Sequence, residues 1–407
     1  MTTPSTAIRL AHRVAQVPPS ATAALDAHAK ALLADGVDVI NLTSGEPAFP
    51  TVTPAAEAGA TAIAEDFTRY TPAAGTPELR TAVAGHLNRH GTGYTAADIV
   101  VAAGAKQALA HTFTALLEPG DEVLVPAPYW VSYPHLITLA GGVPVTVQPG
   151  EDLKVTPDQL RAAITPRTRV LLLNSPANPS GIVYSRAELA ALAEVAVEHD
   201  LVIVSDEICD HWVFGEPAFT STAALSTEIA GRTVTIGGVS KTFAMTGWRI
   251  GWLAATTPVA AAVAALQSHT ASAPSSVSQR AALGALAADL DEELTHRRNE
   301  LDARRITTIE AISKTSGLTV AGDPTGAFFL LADVSGTYGL RHGDRTIRSA
   351  ADFAELLLAE ARVAVVPGAD FGAPDHVRIS YTVPADRLAE ALTRLRGFAD
   401  DLTAPRS

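Results

Sequence analysis

The chain is 407 residues long, 47% hydrophobic and 18% charged, and it carries a formal net charge of −13 at pH 7. This length predicts more than one domain, and the acidic balance excludes a basic surface for nucleic acid or anionic lipid. The single cysteine, Cys209, excludes an internal disulfide and a multi-cysteine metal site, so we expect no metal.

The N-terminus and the apolar stretches predict a cytoplasmic protein with no membrane partner. Residues 1–5 show no charged segment followed by an apolar one, so we expect no signal peptide. The most membrane-like stretch, residues 252–266, is interrupted by Thr256-Thr257-Pro258. It falls short of the roughly 20 apolar residues that span a bilayer, which favours a buried helix.

The first residues are predicted to form an arm and a helix. Three prolines interrupt residues 1–20, where no apolar period holds. A helix is predicted over residues 21–33 because Asp35-Gly36 ends it, and a short strand over 37–42 follows. We therefore expect residues 1–46 to be an N-terminal arm and helix that pack with the small domain.

Strands and helices alternate from about residue 55. Apolar runs predict strands at residues 99–102, 122–125, 143–147, 170–173, 201–204, 233–236 and 251–254. Helices are predicted at residues 54–65, 77–90, 106–117, 185–199 and 258–269. Several strands are apolar without interruption, which is typical of strands buried on both faces. This pattern predicts an α/β fold in which a large domain, residues 47–290, holds a mostly parallel seven-stranded sheet covered by helices.

The C-terminal part is predicted to be a smaller α/β domain, residues 291–407. A charged helix over residues 290–313 marks the exit from the large domain. Beyond it, helices at residues 350–361 and 386–402 alternate with strands, which are predicted at residues 327–331, 363–366 and 377–380.

A lysine and an arginine follow the predicted strand at residues 233–236. Lys241 lies among small and hydroxylated residues, and Arg249 comes eight positions later. A lysine in a cleft can lose its proton by desolvation and act as an amine nucleophile. An arginine is a fixed cation that suits a phosphate. Together they indicate a Schiff base to a phosphorylated aldehyde.

Other polar or aromatic residues also follow predicted strands. Asp206, Asn178, Trp130 and the helix start at Gly104-Ala105-Lys106 all do so. Each also has an ordinary structural explanation. Asp206 could be an acidic loop residue, Asn178 could belong to a turn, and Trp130 could pack in the core. The helix start at Gly104 could be one of many such starts. Because ligands bind at the carboxyl ends of parallel strands, these residues should meet at one edge of the sheet. There they could hold a flat, phosphorylated, pyridinium-like ring.

Six motifs, and a seventh around Arg378, carry a specific resemblance. They are Leu42-Thr-Ser-Gly-Glu-Pro47, Tyr70-Thr-Pro-Ala-Ala-Gly75, Gly104-Ala-Lys-Gln107, Asn174-Ser-Pro-Ala-Asn-Pro179, Ser205-Asp-Glu-Ile208, Ser240-Lys-Thr-Phe-Ala-Met-Thr-Gly-Trp-Arg249 and His376-Val-Arg-Ile-Ser-Tyr381. In this order they resemble class I aminotransferases of pyridoxal phosphate (PLP) fold type I, in the aspartate aminotransferase group. The similarity extends over residues 20–402.

The resemblance implies a role for each matching residue around the cofactor. Lys241 would form the Schiff base and move a proton, and Asp206 would pair with the pyridine nitrogen. Trp130 would stack on the ring, and Asn178 would bond its 3-oxygen. The phosphate would be held by Ser240, Arg249 and the backbone amides of Ala105 and Lys106.

The resemblance also implies a substrate site and a homodimer. Arg378 would bind the substrate α-carboxylate near the Gly45 backbone, with Trp130 and Asn178 beside it. In one subgroup the position of Lys106 meets the distal carboxylate of a dicarboxylic substrate, but an ordinary solvent-facing helix residue is an equal alternative. Tyr70 would reach the phosphate of the neighbouring subunit.

Cys209 is the main departure from the family pattern. It stands among the cofactor-facing residues where the family usually has a tyrosine that donates to the 3-oxygen, and a thiol is a weak donor. Gly238 stands where a serine often contacts the phosphate, and Ala48 replaces a common aspartate. A small side chain filling the tyrosine site is the simplest interpretation of Cys209, ahead of a nucleophile or metal ligand.

Two functions of the same fold remain open at this point. The first is a PLP-dependent aminotransferase that acts on an L-amino acid and a 2-oxo acid through Lys241. The second, motivated by Cys209, is a PLP enzyme of specialised metabolism that catalyses β/γ-elimination or replacement, cyclisation or oxidation of an amino acid. Fold alone does not choose between them. A non-catalytic regulator is disfavoured because Lys241 is present and no basic segment is appended.

Overall fold

The computed structural model describes residues 11–15, 17–18 and 21–404. Its helices are α1 His12–Ala15, α2 Ala21–Ala34, α3 Thr53–Ala64, α4 Pro77–Asn88, α5 Ala105–Leu116, α6 Ser132–Leu139, α7 Pro157–Ala163, α8 Arg186–Glu198, α9 Thr227–Gly231, α10 Thr257–Thr270, α11 Ser276–Ala287, α12 Asp291–Ser313, α13 Ala350–Leu356 and α14 Ala385–Asp400. Its strands are β1 Ile40–Asn41, β2 Ile99–Ala102, β3 Glu122–Pro126, β4 Val143–Val147, β5 Thr168–Asn174, β6 Val202–Asp206, β7 Thr233–Gly238, β8 Gly251–Ala254, β9 Thr319–Val320, β10 Phe329–Asp333, β11 Arg341–His342, β12 Arg345–Thr346, β13 Val363–Ala364, β14 Val366–Pro367 and β15 His376–Ser380. Part of the predicted N-terminal arm, residues 1–10, 16, 19 and 20, lies outside the described residues.

A seven-stranded sheet forms the centre of the large domain. Its strand order is β2-β8-β7-β6-β5-β3-β4. Strand β8 runs antiparallel to both of its neighbours, and the remaining pairs are parallel. This confirms the predicted mostly parallel sheet, and all seven predicted strands lie in it. The carboxyl ends of β5, β6 and β7 therefore lie side by side.

The uninterrupted apolar runs are explained by helices on both faces of this sheet. In β5, Val170 and Leu172 pack in a core that also contains residues of α5 and α6. Leu171 and Leu173, the alternate residues, pack in a second core with residues of α8. Because successive side chains of a strand point to opposite faces, a strand covered on both faces must be apolar at every position.

The C-terminal part forms a smaller domain around an antiparallel sheet. Its order is β14-β15-β10-β9, and residues of α12, α13 and α14 pack with it in one core. Strand β1 near the N-terminus pairs with β13, so the start of the chain is tied to this C-terminal part. The domain boundaries after residues 46 and 290 stay predictions.

Several helices were not predicted from the sequence, namely α1, α6, α7, α9 and α11. Helix α11 packs so closely on α3 that a Cβ at Gly284 would lie only 2.6 Å from the Pro54 carbonyl oxygen. The prediction of helix 258–269 is confirmed by α10, with one residue more at each end. Among the described residues, no helix is long and apolar enough to cross a membrane.

Candidate active site

All but one of the predicted site residues line a single cavity of about 610 Å³. The cavity lies at the carboxyl ends of the large-sheet strands and is closed on one side by residues of the smaller domain. The predicted residues in its lining are Gly45, Ala105, Lys106, Trp130, Asn178, Asp206, Cys209, Ser240, Lys241, Arg249 and Arg378. The exception is Tyr70.

Lys241 lies three residues beyond the end of β7, on a loop that aims its amine into the cavity. Its Nζ donates to the carbonyl oxygen of Gly45 at 2.5 Å. Burial lowers the pKa of Lys241, because a charged ammonium loses its hydration there. The loop turns through Ala244, which has a positive φ of 53°. The structure thus presents a partly buried amine whose protonated form is disfavoured.

Asp206 is the last residue of β6 and is almost fully buried. Burial raises its pKa, although the Tyr133 hydroxyl donates to Oδ2 at 2.7 Å and the Ile208 backbone N–H donates to Oδ1 at 3.2 Å. The Asn174 side chain donates to the Asp206 carbonyl oxygen at 2.9 Å. The carboxylate is thus held in one orientation by Tyr133 on α6 and by the backbone two residues beyond it, while Asn174 on β5 holds its backbone.

Tyr133 is a site residue that the sequence analysis missed. It lies on α6, one turn beyond Trp130, and the two rings pack edge to face with centroids 5.3 Å apart. Its position three residues after Trp130 was the available signal, since a turn in which the Tyr133 N–H donates to the Trp130 carbonyl oxygen at 3.0 Å brings the two rings together. That signal was lost because α6 itself was not predicted.

One end of the cavity is built to bind an anion. Helix α5 begins after Gly104, whose φ is +86°, and no described side chain caps its first N–H groups. A Cβ at Gly104 would lie 2.4 Å from a guanidinium nitrogen of Arg249, so any other residue here would displace that guanidinium. Arg249 donates to the carbonyl oxygens of Thr246 and Ala103 at 3.0 and 3.3 Å. A helix N-terminus beside a fixed guanidinium is a phosphate site.

Lys106 and Trp130 lie together in the wall of the cavity. The Lys106 Nζ is 4.8 Å from the centroid of the Trp130 ring, a cation–π distance. Desolvation, and the nearby charge of Arg249, lower the pKa of Lys106. Lys106 thus places a further basic side chain, beside Trp130, in the cavity wall.

Arg378 lies on β15 and is 2% exposed. It donates to Asn178 Oδ1 at 3.0 Å and to the Thr43 carbonyl oxygen at 2.7 Å. The guanidinium lies 4.5 and 5.1 Å from the ring centroids of Phe329 and Phe371. Its Nε has no partner among the described residues. A buried cation with an unused donor is arranged to receive a carboxylate.

Cys209 and Tyr70 occupy very different surroundings. Cys209 is 2% exposed, and burial raises its pKa to about 12, so the thiol is neutral at pH 7. Tyr70 is 95% exposed and lies in a surface depression beside Ser275, away from the cavity of the same chain. The structure therefore brings Cys209 to the cavity and leaves Tyr70 outside it.

The arrangement offers an amine of lowered pKa, an oriented carboxylate and two separate anion-binding ends. Such a cavity can hold a phosphorylated aromatic aldehyde and a carboxylic acid side by side.

Comparison with known proteins agrees with this chemistry. The family model for aminotransferase class I and II matches residues 37–395. An aspartate aminotransferase of Geobacillus stearothermophilus is 42% identical over 97% of this chain and 99% of its own. An aspartate/prephenate aminotransferase of Cereibacter sphaeroides is 43% identical over 97% of this chain and 99% of its own.

Solved structures agree at the level of the fold. The aspartate aminotransferase of Rhizobium meliloti has a TM-score of 0.93 at 38% identity, over 98% of this chain and 100% of that one. The aspartate aminotransferase of Thermus thermophilus with maleate has a TM-score of 0.89 at 41% identity, over 96% of this chain and 100% of that one.

Proposed function

This chain belongs to the class I and II aminotransferases, and we propose that its amino donor is a dicarboxylic L-amino acid such as L-aspartate. As a member of this family it is a PLP-dependent transferase that moves an amino group between an L-amino acid and a 2-oxo acid. The relatives, named aspartate aminotransferases at about 40% identity, do not favour the alternative of elimination, cyclisation or oxidation.

The residues of the cavity fit PLP. The uncapped N-terminus of α5 beside the Arg249 guanidinium suits a phosphate, and Ser240, Ala105 and Lys106 lie in the same lining. We propose that these groups hold the phosphate, that Trp130 covers the ring, and that Asn178 and Asp206 bind its 3-oxygen and nitrogen. Bound PLP supplies an aldehyde that condenses with amines and a ring that withdraws electrons from the substrate α-carbon.

The roles of the chain's own residues follow from their positions. Lys241 is the covalent attachment point, and its lowered pKa leaves Nζ free to take the proton from the substrate α-carbon and to return it. Asp206 stays oriented by Tyr133 and keeps a proton on the ring nitrogen. Arg378 holds the α-carboxylate as a bidentate pair and, with the Gly45 backbone, fixes the α-carbon near Lys241.

The observation that supports a dicarboxylic substrate is that Lys106 lies in the cavity as well as Arg378. Arg378 accounts for one carboxylate, and Lys106, beside Trp130, can meet another. The Thermus thermophilus relative was solved with maleate, which is a four-carbon dicarboxylate. We propose that Lys106 binds the distal carboxylate of the substrate.

A homodimer is also proposed, because Tyr70 is too exposed to serve the site of its own chain. The partner subunit would cover Tyr70 and receive its hydroxyl at the phosphate. Sedimentation that shows only monomers in the active enzyme would overturn this. A cytoplasmic location stays a prediction from the sequence.

The substrate proposal is tested by comparing Lys106→Met with Lys314→Met, a surface lysine paired with Glu310. Loss of a charge-assisted hydrogen bond, worth about 1.5–3 kcal/mol, should raise the KM for L-aspartate about 10- to 100-fold in Lys106→Met. The KM for the monocarboxylic L-alanine should change less than about twofold, and Lys314→Met should match the wild type for both. Equal losses for both substrates, or release of ammonia without a second amino acid, would contradict the proposal.

A further inference from the structure

Two histidines and a carboxylate lie close together outside the cavity. The ligand atoms of His86, His90 and Asp210 are all within 4.8 Å of one another. Asp210 follows Cys209 directly but is not in the cavity lining. The turn after β6 thus sends Asp206 and Cys209 toward the cavity and Asp210 away from it.

Asp210 connects this turn to the loop that carries Lys241. Its Oδ1 accepts from the Thr242 hydroxyl at 3.1 Å and from the His211 backbone N–H at 2.8 Å. Its Oδ2 accepts from His86 Nε2 at 3.0 Å, and His90 Nε2 lies 3.6 Å away. Burial alone would raise the pKa of Asp210, but the bonds from both histidines hold it well below its usual range. The carboxylate is therefore charged and fully engaged.

Arg89 determines which nitrogen of His86 carries the proton. Its guanidinium lies 2.7 Å from His86 Nδ1. A guanidinium can only donate, so Nδ1 accepts and the proton is on Nε2, where it points at Asp210. A protonated Nε2 cannot ligate a metal, so the three groups are a hydrogen-bonded chain and not a chelate.

His86 touches the Lys241 loop as well as Asp210. It lies on α4 and is 8% exposed. Its ring centroid is 6.3 Å from that of Phe243, two residues beyond Lys241, and 5.9 Å from that of Trp252 on β8. Thr242, which lies between Lys241 and Phe243 in the sequence, is 3% exposed. One buried histidine thus contacts both the loop and the carboxylate that anchors it.

We propose that the chain Arg89–His86–Asp210–Thr242 is a positioning network that fixes the amine of Lys241 relative to Asp206. The inference rests on the proposed role of Lys241. Backbone bonds inside the loop, such as Met245 N–H to the Ser240 carbonyl oxygen at 3.2 Å, shape the loop but do not join it to the turn that follows β6. The bond between Thr242 and Asp210 makes that connection directly.

The network should affect the rate more than substrate binding. A displacement of about 1 Å at a reacting group can lower the rate by up to about 100-fold. We expect His86→Leu and Thr242→Val to lower kcat roughly tenfold, while the KM for L-aspartate stays within about twofold, since Arg378 and Lys106 lie outside the network.

The experiment compares these variants with His86→Gln and His111→Leu. Gln can place an N–H near the position of Nε2, so His86→Gln should recover most of the kcat lost in His86→Leu. His111 is another buried histidine, on α5, bonded to Thr270 at 3.1 Å and to no member of the network, so His111→Leu should leave kcat unchanged whatever its effect on the melting temperature. The rate at which PLP attaches to the apo-protein, followed by absorbance, is the second readout and should fall with kcat.

Wild-type kcat and wild-type PLP attachment in both His86→Leu and Thr242→Val would overturn the network. So would an equal loss of kcat in His111→Leu, which would show a general effect on folding. If wild-type protein forms no PLP adduct at Lys241, the proposed function fails instead, so the two failures are distinguishable.

Discussion

At the scale of single residues, Cys209 is the position where this site differs most from its family. The thiol is buried and neutral, with a pKa of about 12, and it offers only a weak donor to the cofactor. The usual tyrosine would give a phenol in the same place. The difference should therefore change the pH at which the lysine-bound cofactor loses its proton.

We predict that Cys209→Tyr shifts the pH titration of the visible cofactor absorbance to lower pH. A phenol donor stabilises the deprotonated form of the lysine-bound cofactor, and such a bond is worth about 1.5–3 kcal/mol, or about one to two pH units. Cys209→Phe, which adds the ring without the hydroxyl, is the control and should titrate like the wild type. Identical titrations of the two variants would show that residue 209 does not face the 3-oxygen.

The site residues differ in how far the sequence could predict them. Lys241, Asp206 and Asn178 follow apolar strands, and the rule that ligands meet strand ends is enough to bring them together. Arg378 bonds Asn178 across 200 residues of sequence, and no spacing predicts that contact. The role of Arg378 was predicted only from the resemblance to the family.

At the scale of elements, the start of α5 is what makes one end of the cavity an anion site. Gly104 holds a backbone conformation that is strained for other residues, and its missing Cβ leaves the space that Arg249 fills. The helix, the glycine and the arginine thus act as one unit.

We predict that Gly104→Ala weakens PLP binding about tenfold and destabilises the protein by about 1–3 kcal/mol. Gly85→Ala is the matched control, because Gly85 lies in α4 with open space around it. This substitution should leave the free energy of unfolding unchanged or raise it by about 0.5–1 kcal/mol. Thermal melts and PLP titration of the apo-proteins measure both. Unchanged PLP affinity in Gly104→Ala would contradict the role given to this helix start.

Elements were predicted best where burial makes the pattern strong. Strands covered on both faces are apolar throughout, as at residues 170–173 of β5, and all seven strands of the large sheet were predicted. Helices α6 and α11 were missed. Helix α6 is only eight residues long, and α11 packs on α3, which lies more than 200 residues earlier in the chain. Missing α6 also meant missing Tyr133, so an error at one scale became an error at the next.

At the scale of the whole molecule, the chain is strongly acidic while its cavity collects cations. The net charge is −13, yet the cavity is lined by five basic side chains, Lys30, Lys106, Lys241, Arg249 and Arg378, against three acidic ones, Asp26, Glu46 and Asp206. An excess of basic groups in a cleft favours anionic cofactors and substrates. Composition predicted the acidic balance of the chain, but only the fold brings these basic side chains together, because they come from both domains.

The central claim is that Lys241 carries the cofactor, and labelling tests it most directly. Protein loaded with PLP is reduced with borohydride, digested, and examined by peptide mass spectrometry. We predict one pyridoxyl group per chain, on Lys241, and no visible absorbance band in Lys241→Ala. Lys30 and Lys106 line the same cavity and serve as internal controls. A label on either of them, or on no lysine, would contradict the account.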